Sequence, residues 1–165
     1  LNKINSLGNK LKDKYDNHLI LVLLVVDQSN NFEYFCHKYK TSSYIENKFK
    51  NISKNFENLK NKKFYSEENV KKLIYFTSKN EVMDLLLSST CANDKIETLN
   101  VEKLLDYVNN CKIPKFPISG DYLKKHGYET GQKLGKKLKL LEEKWIANNF
   151  VLDKDVLKKS LNKIS

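Results

Sequence analysis

The stretch at residues 115–151, KFPISGDYLKKHGYETGQKLGKKLKLLEEKWIANNFV, constrains the fold more than any other part of the chain. Pro114 and Pro117 remove backbone donors, so no helix can run through them from upstream. Ser119 then offers an N-cap oxygen to a short helix toward Lys125, and Gly127 stands where a left-handed C-cap would close it. Gly127, Gly131 and Gly135 recur four apart, and a long amphipathic helix is expected over 132–148. The unit is a glycine-rich helix-turn-helix, and it divides the chain into a helical body at 1–112 and a small helical tail at 113–165. Glycine and proline number only five and two in 165 residues, which favours helices elsewhere.

The body carries repeated helix signals. The apolar run 19–26 follows Asp16 and Asn17, both good N-caps, and reads as a fully buried helix. Its eight residues fall well short of the ~20 that a bilayer span needs, so no membrane is expected as a partner. Ser43 to Glu46 matches a capping box, and Ile45, Phe49, Ile52, Phe56 and Leu59 follow at spacings of four and three as one face of a long helix. Ser66, Glu67 and Glu68 open another helix, with Val70, Leu73 and Ile74 on its buried side. A further helix runs through Val82, Leu85, Leu86 and Leu87, and Asn100 caps one that contains Val101, Leu104, Leu105 and Val108. Together these predict an all-α chain, an irregular helical bundle or array followed by the tail.

Charge limits the function classes. All 30 basic residues are lysine, and the net charge is +10. An excess of that size favours a polyanionic partner. Without arginine there is no bidentate fork for guanine edges, so lysine contacts would position a nucleic-acid backbone and leave its sequence unread. The alternative is that the lysines simply solvate helix faces. Cys36, Cys91 and Cys111 are scattered, as are His18, His37 and His126, and none has metal-ligand spacing. The cysteines read as reduced, packed and cytosolic. His126, beside Lys124 and Lys125, is the one histidine placed to touch a phosphate. Asp153-Lys154-Asp155 lacks the strand and Gly-Ser context of a paired-aspartate metal site; Asp153 reads instead as the N-cap of a last helix with Val156, Leu157 and Leu161. Two clusters interleave aromatics with lysines: Phe32, Tyr34, Phe35 and Tyr39 with Lys38 and Lys40, and Phe64 and Tyr65 after Lys60, Lys62 and Lys63. Each could stack unpaired bases or fill the core.

In the tail, Leu134, Leu138, Leu141 and Trp145 form an apolar stripe, and Lys133, Lys136, Lys137 and Lys144 fall mostly on other sides. The first turn after Gly131 presents free backbone N–H groups, a natural phosphate seat. Gly135, inside the helix, costs roughly 1 kcal/mol relative to alanine, which suggests close approach of another backbone or a ligand.

The tail resembles the C-terminal end of bacterial class II CCA-adding enzymes, the tRNA nucleotidyltransferase/poly(A) polymerase family. The matching residues are Phe116, Pro117, Ile118, Ser119, Gly120, Asp121, Leu123, Gly127, Gly131, Gly135, Leu138, Leu141, Glu142, Trp145 and Phe150. Glu129, Thr130 and Gln132 stand around Gly131, where the family often has prolines. The resemblance implies a tRNA-binding body and tail that position the acceptor/TψC arm for 3′-end CCA addition. It implies nucleic-acid contacts at Ser119, Gly120, Lys124, Lys125, Gly127, Gly131, Lys133, Gly135, Lys136 and Lys137. No catalytic residue, metal site or cofactor is expected in this chain; Mg²⁺ and CTP or ATP would belong to the head of the parent enzyme. The start at Leu1 suggests a piece of something longer, with tRNA and a catalytic head and neck, in cis or as a separate chain, as partners in the cytoplasm. Two other readings stay open: a helix-hairpin-helix-like module that grips nucleic acid nonspecifically, and a helical protein-interaction domain.

Overall fold

The computed structural model describes residues 4–5, 7–27, 29–92 and 96–152. The described residues are all-α, with nine α-helices, two 3₁₀ turns and no strand, as the patterning predicts. The chain divides into two compact units, Leu1–Lys112 and Ile113–Ser165.

The first unit contains α1 (Asn9–Lys12), α2 (Asn17–Val25), α3 (Asn31–Tyr39), α4 (Ser43–Asn55), 3₁₀ turns at Asn58–Lys60 and Lys62–Tyr65, α5 (Glu67–Phe76), α6 (Lys79–Ala92) and α7 (Thr98–Asn110). Helix α6 is the hub, packed by α2, α4, α5 and α7. Val82, Leu85, Leu86 and Leu87 are buried there, as are Ser88, Ser89 and Thr90. Those three hydroxyls enter the core because each donates to a carbonyl of its own helix: Ser88 to Asp84 at 2.6 Å, Ser89 to Leu86 at 2.5 Å and Thr90 to Leu87 at 2.8 Å. Tyr15 closes the group, its hydroxyl 2.8 Å from the Leu87 carbonyl and 2.5 Å from Thr90 Oγ1. Burial pushes the Tyr15 phenol well above its usual range.

Lys48 provides the other polar tie. Its side chain is only 8% exposed, and Nζ lies 2.7 Å from Asp84 Oδ2 on α6 and 3.4 Å from Asp16 Oδ2. Asp16 also caps α2, accepting from the Leu19 amide at 2.6 Å. Burial opposes the Lys48 charge, but the two carboxylates outweigh it and hold the ammonium above the ordinary lysine value. Asp84 does not move in the complementary direction: its burial, reinforced by the like charge of Asp16, outweighs Lys48 and pushes its carboxyl up. Lys48 governs the cluster, because its one charge faces two carboxylates whereas Asp84 faces one ammonium.

Several local expectations shift. Helix α2 is a peripheral helix and not a fully buried one: Leu19 and Val22 are buried, Leu24 is exposed, and its neighbours lie between. A nine-residue helix on the rim of a bundle has one face to bury. The N-cap of α4 is Ser42, one residue before the expected capping box, and Glu46 pairs with Lys50 at 2.5 Å instead of reaching back to the cap. That helix stops at Asn55, so Phe56 is its C-cap and Leu59 is buried from the following 3₁₀ turn. The Asn55 side chain donates to the Asn51 carbonyl, the backbone competition that asparagine brings to a helix end. Helix α7 starts at Thr98 after Glu97, which puts Asn100 inside its first turn; the Glu97 carbonyl accepts from the Asn100 and Val101 amides. Ser66 caps α5 as expected, with Val70 and Ile74 buried.

The second unit contains α8 (Gly120–Lys125) and α9 (Gln132–Ala147). Ser119 caps α8, accepting from the Tyr122 amide at 3.1 Å. Gly127, at φ 87°, ends it in a Schellman motif: Tyr128 N–H donates to the Leu123 carbonyl and Gly127 N–H to that of Lys124. Helix α9 ends the same way with asparagine in the glycine position, Asn149 at φ 51°, as Phe150 N–H donates to the Trp145 carbonyl at 2.8 Å and Asn149 N–H to that of Ile146. Ile118, Leu123 and Leu141 form the small core with Leu134 and Leu138 against it. Trp145 is buried, its ring 5.3 Å from Phe116 and 5.0 Å from Phe150. The expected last helix from Asp153 lies outside the described residues.

Gly127→Ala forces a Cβ into the left-handed region, so the tail should lose about 1 kcal/mol. Fluorescence of Trp145, the chain's only tryptophan, reads that loss directly in urea or heat. An unshifted transition would mean that the turn relaxes freely.

Candidate nucleic-acid interface

Helix α9 sorts its residues into two jobs. Leu134, Leu138, Leu141 and Trp145 face the tail core. Lys133 and Lys136 are exposed, Lys137 is half-buried with its ammonium 5.7 Å from the Tyr128 ring centre, and Lys144 follows on the side of Lys133 and Lys137. Leu140, 45% exposed, lies among these lysines, an apolar spot in a basic stripe. The N-cap of α9 is Gly131, at φ 142° and without a side chain, so no capping oxygen covers the first-turn amides. The positive end of the helix dipole thus points into the same region as Lys133 and Lys136, an arrangement suited to phosphate oxygens.

The other candidate residues separate by what they do within the chain. Ser119 spends its oxygen on the α8 cap. Gly120 is where α8 and α9 approach: a Cβ there would lie 3.5 Å from Leu134 Cδ2. Gly135 is not the close-approach point that the sequence suggests, because a Cβ there would meet nothing within 4 Å and the residue faces solvent. Lys124 pairs with Asp121 at 3.2 Å, while Lys125 is exposed at the end of α8. His126 hydrogen-bonds through Nδ1 to the Tyr122 carbonyl at 2.8 Å, with its ring 4.4 Å from that of Tyr122. It is therefore a C-terminal cap of α8. Lys133, Lys136 and Lys137 are brought together on one helix; Lys124 and Lys125 come from another, and Gly127 and Gly131 bracket the turn between. Tyr128 and Leu140 were missed. The i+9 and i−3 spacings from Tyr128 and Leu140 to Lys137 give no periodic clue for the first and only a helical-face clue for the second.

Among the described residues no three His, Cys, Asp or Glu side chains converge as a metal site, and no helix is long and apolar enough to cross a membrane. Cys36 is buried and Cys91 and Cys111 are half-buried, all as free thiols.

Residues 11–161 match the family model of tRNA nucleotidyltransferase domain 2, a match that takes in both units. The chain belongs to that family. This tRNA nucleotidyltransferase domain is also similar to the CCA tRNA nucleotidyltransferase 1, mitochondrial, of Danio rerio, at 38% identity over 60 residues. The alignment covers 36% of the chain and 14% of that relative. No solved structure matches the domain.

Proposed function

We propose that this domain is the tRNA-binding body and tail of a CCA-adding enzyme of the bacterial class II type, and that it positions the acceptor/TψC arm while a catalytic head extends the 3′ end. The observation that carries the reading is the α9 face, where Lys133, Lys136 and Lys137 follow an uncapped helix start in a member of a tRNA nucleotidyltransferase family. Lysine ammonium groups and backbone amides grip phosphate without reading bases, which suits an enzyme that accepts every tRNA. In this reading Gly127, Gly131, Gly135, Lys124 and Lys125 are further contacts, while Ser119 caps α8 and Gly120 packs against Leu134. Nucleotide addition, with its Mg²⁺ and CTP or ATP, belongs to the head, in the same polypeptide or a partner chain, and this chain alone incorporates no nucleotide. The cytoplasm is the compartment this reading assigns, and the reduced thiols suit it.

The test is binding to an intact tRNA, to a tRNA lacking its acceptor and TψC arms, and to duplex DNA of equal charge, across a salt series. Intact tRNA should bind tightest, with log K falling against log salt at a slope of about −3.5 to −4.5 for lysine–phosphate contacts at Lys124, Lys125, Lys133, Lys136 and Lys137. Equal affinity for DNA would favour a nonspecific module, and no affinity for any of the three a protein-interaction domain.

A further inference from the structure

The aromatic and basic residues around the end of α3 do not all serve the core. Phe32 is buried, and Phe35 packs partly against the same cluster. Tyr34 and Tyr39, from the same helix, stay 69% and 61% exposed. Between them Lys38 places its ammonium 5.7 Å from the Tyr34 ring centre and 5.6 Å from that of Tyr39. Tyr39 is braced from behind, because its ring lies 4.7 Å from that of Phe35, whose other contact is the buried Phe49 at 5.7 Å. Lys40 follows with left-handed backbone, at φ 49°, and turns the chain sharply beside the rings. Glu33 on α3 and Glu46 on α4 both act on Lys50: Glu46 pairs with it at 2.5 Å and Glu33 contributes to its field.

Two exposed rings, one of them braced by the core, with a shared ammonium and a second lysine at the turn, combine what an unpaired strand requires. Flat faces accept bases, and cations sit close enough to meet the phosphates between them. A protein-docking face of this size would gain from aliphatic neighbours, and no exposed Leu, Ile, Val or Met lies within α3. We propose that Tyr34, Lys38, Tyr39 and Lys40 form a stacking platform for two or three unpaired nucleotides of an RNA strand. Lys38, which rests on the rings when no strand is present, turns to phosphate when bases cover them. The inference rests on RNA being the domain's partner, but it uses neither the tail nor its lysines.

An unstructured eight-nucleotide RNA and an abasic strand of equal length and charge separate stacking from attraction to phosphate. Fluorescence anisotropy should show the base-bearing strand binding the whole domain about tenfold tighter than the abasic one. Tyr34→Ala with Tyr39→Ala should erase that ratio and leave abasic affinity unchanged, whereas Tyr34→Phe with Tyr39→Phe should keep it. The two rings are exposed, so the alanine pair should retain the wild-type far-UV circular dichroism. Charge reversal of Lys133, Lys136 and Lys137 should leave the ratio unchanged while it weakens tRNA binding, so failure of the tail reading and failure of the platform are distinguishable. Equal binding of the two strands by the wild-type domain, or a ratio that survives the alanine pair, would overturn the platform and leave the rings as a protein-facing surface.

Discussion

Lys48→Met will lower the unfolding free energy of the body by about 3 kcal/mol. The reason is the buried cluster and not the loss of one attraction. Removing the ammonium leaves Asp84, 13% exposed, with its charge uncompensated in a low-dielectric site between α4 and α6. Replacing both partners removes that penalty, so Lys48→Met with Asp84→Leu should recover most of the lost stability. Urea titrations followed by far-UV circular dichroism report both variants. A single variant as stable as the wild type would show that Asp84 is rehydrated or neutral, and that the tie contributes little. The pH dependence has a definite sign. The folded-state pKa of Lys48 lies above its unfolded value, so its contribution is complete below about 10.5 and is lost as pH rises through the folded value. The phenols of Tyr15 and Tyr65 act in the same direction; burial pushes Tyr65 to about 12, so folding favours the neutral ring and stability falls once pH passes the unfolded value near 10. The body should therefore unfold more readily above about pH 10, and the gap between wild type and Lys48→Met should narrow there.

Charge reversal of the α9 face, Lys133→Glu with Lys136→Glu and Lys137→Glu, will weaken tRNA binding by about a hundredfold at physiological salt and flatten its salt dependence. Lys133 and Lys136 are solvent-exposed, so reversing them should move the Trp145 unfolding transition little, and a larger shift would report the half-buried Lys137 leaving its place beside Tyr128. That separation makes the variant informative. Unchanged tRNA affinity with an unchanged transition would remove α9 as the RNA-binding face. A matched triple reversal at exposed positions of the body, Lys12→Glu with Lys54→Glu and Lys103→Glu, controls for the general effect of lowering a net charge of +10.

The elements whose signals are local were legible in the chain itself. Ser66 before two acids, Asp16 or Asn17 before the apolar run, and Ser119 with Gly127 around a six-residue helix all mark real helix ends, because a cap bond joins residues no more than five apart. Reading failed where two nearby residues could serve equally. Ser42 and Ser43 compete for one cap, and Glu97 precedes an α7 that begins two residues upstream of Asn100, so only the packing of the whole helix selects the start. The apolar run of α2 was over-read as fully buried for a related reason: hydrophobicity says that a helix can be covered, while the number of neighbours decides which sides are.

For the candidate site, the sequence by itself determined the components: glycines at the turn, an amphipathic α9 with lysines mostly off its apolar stripe, and a lysine-only cationic charge that favours phosphate over base edges. These follow from composition and from the 3.6-residue period, which need no distant contacts. Tertiary structure alone decided which glycine is packed, with Gly120 against Leu134 and Gly135 open to solvent, and which aromatics remain outside, with Phe32 and Phe49 in the core and Tyr34 and Tyr39 on the surface. It also paired Lys48 with Asp16 and Asp84 across more than thirty residues each. Such choices depend on where distant helices come to rest, and a one-dimensional pattern carries the capacity of a side chain to be buried or paired but not the identity of the partner that buries it.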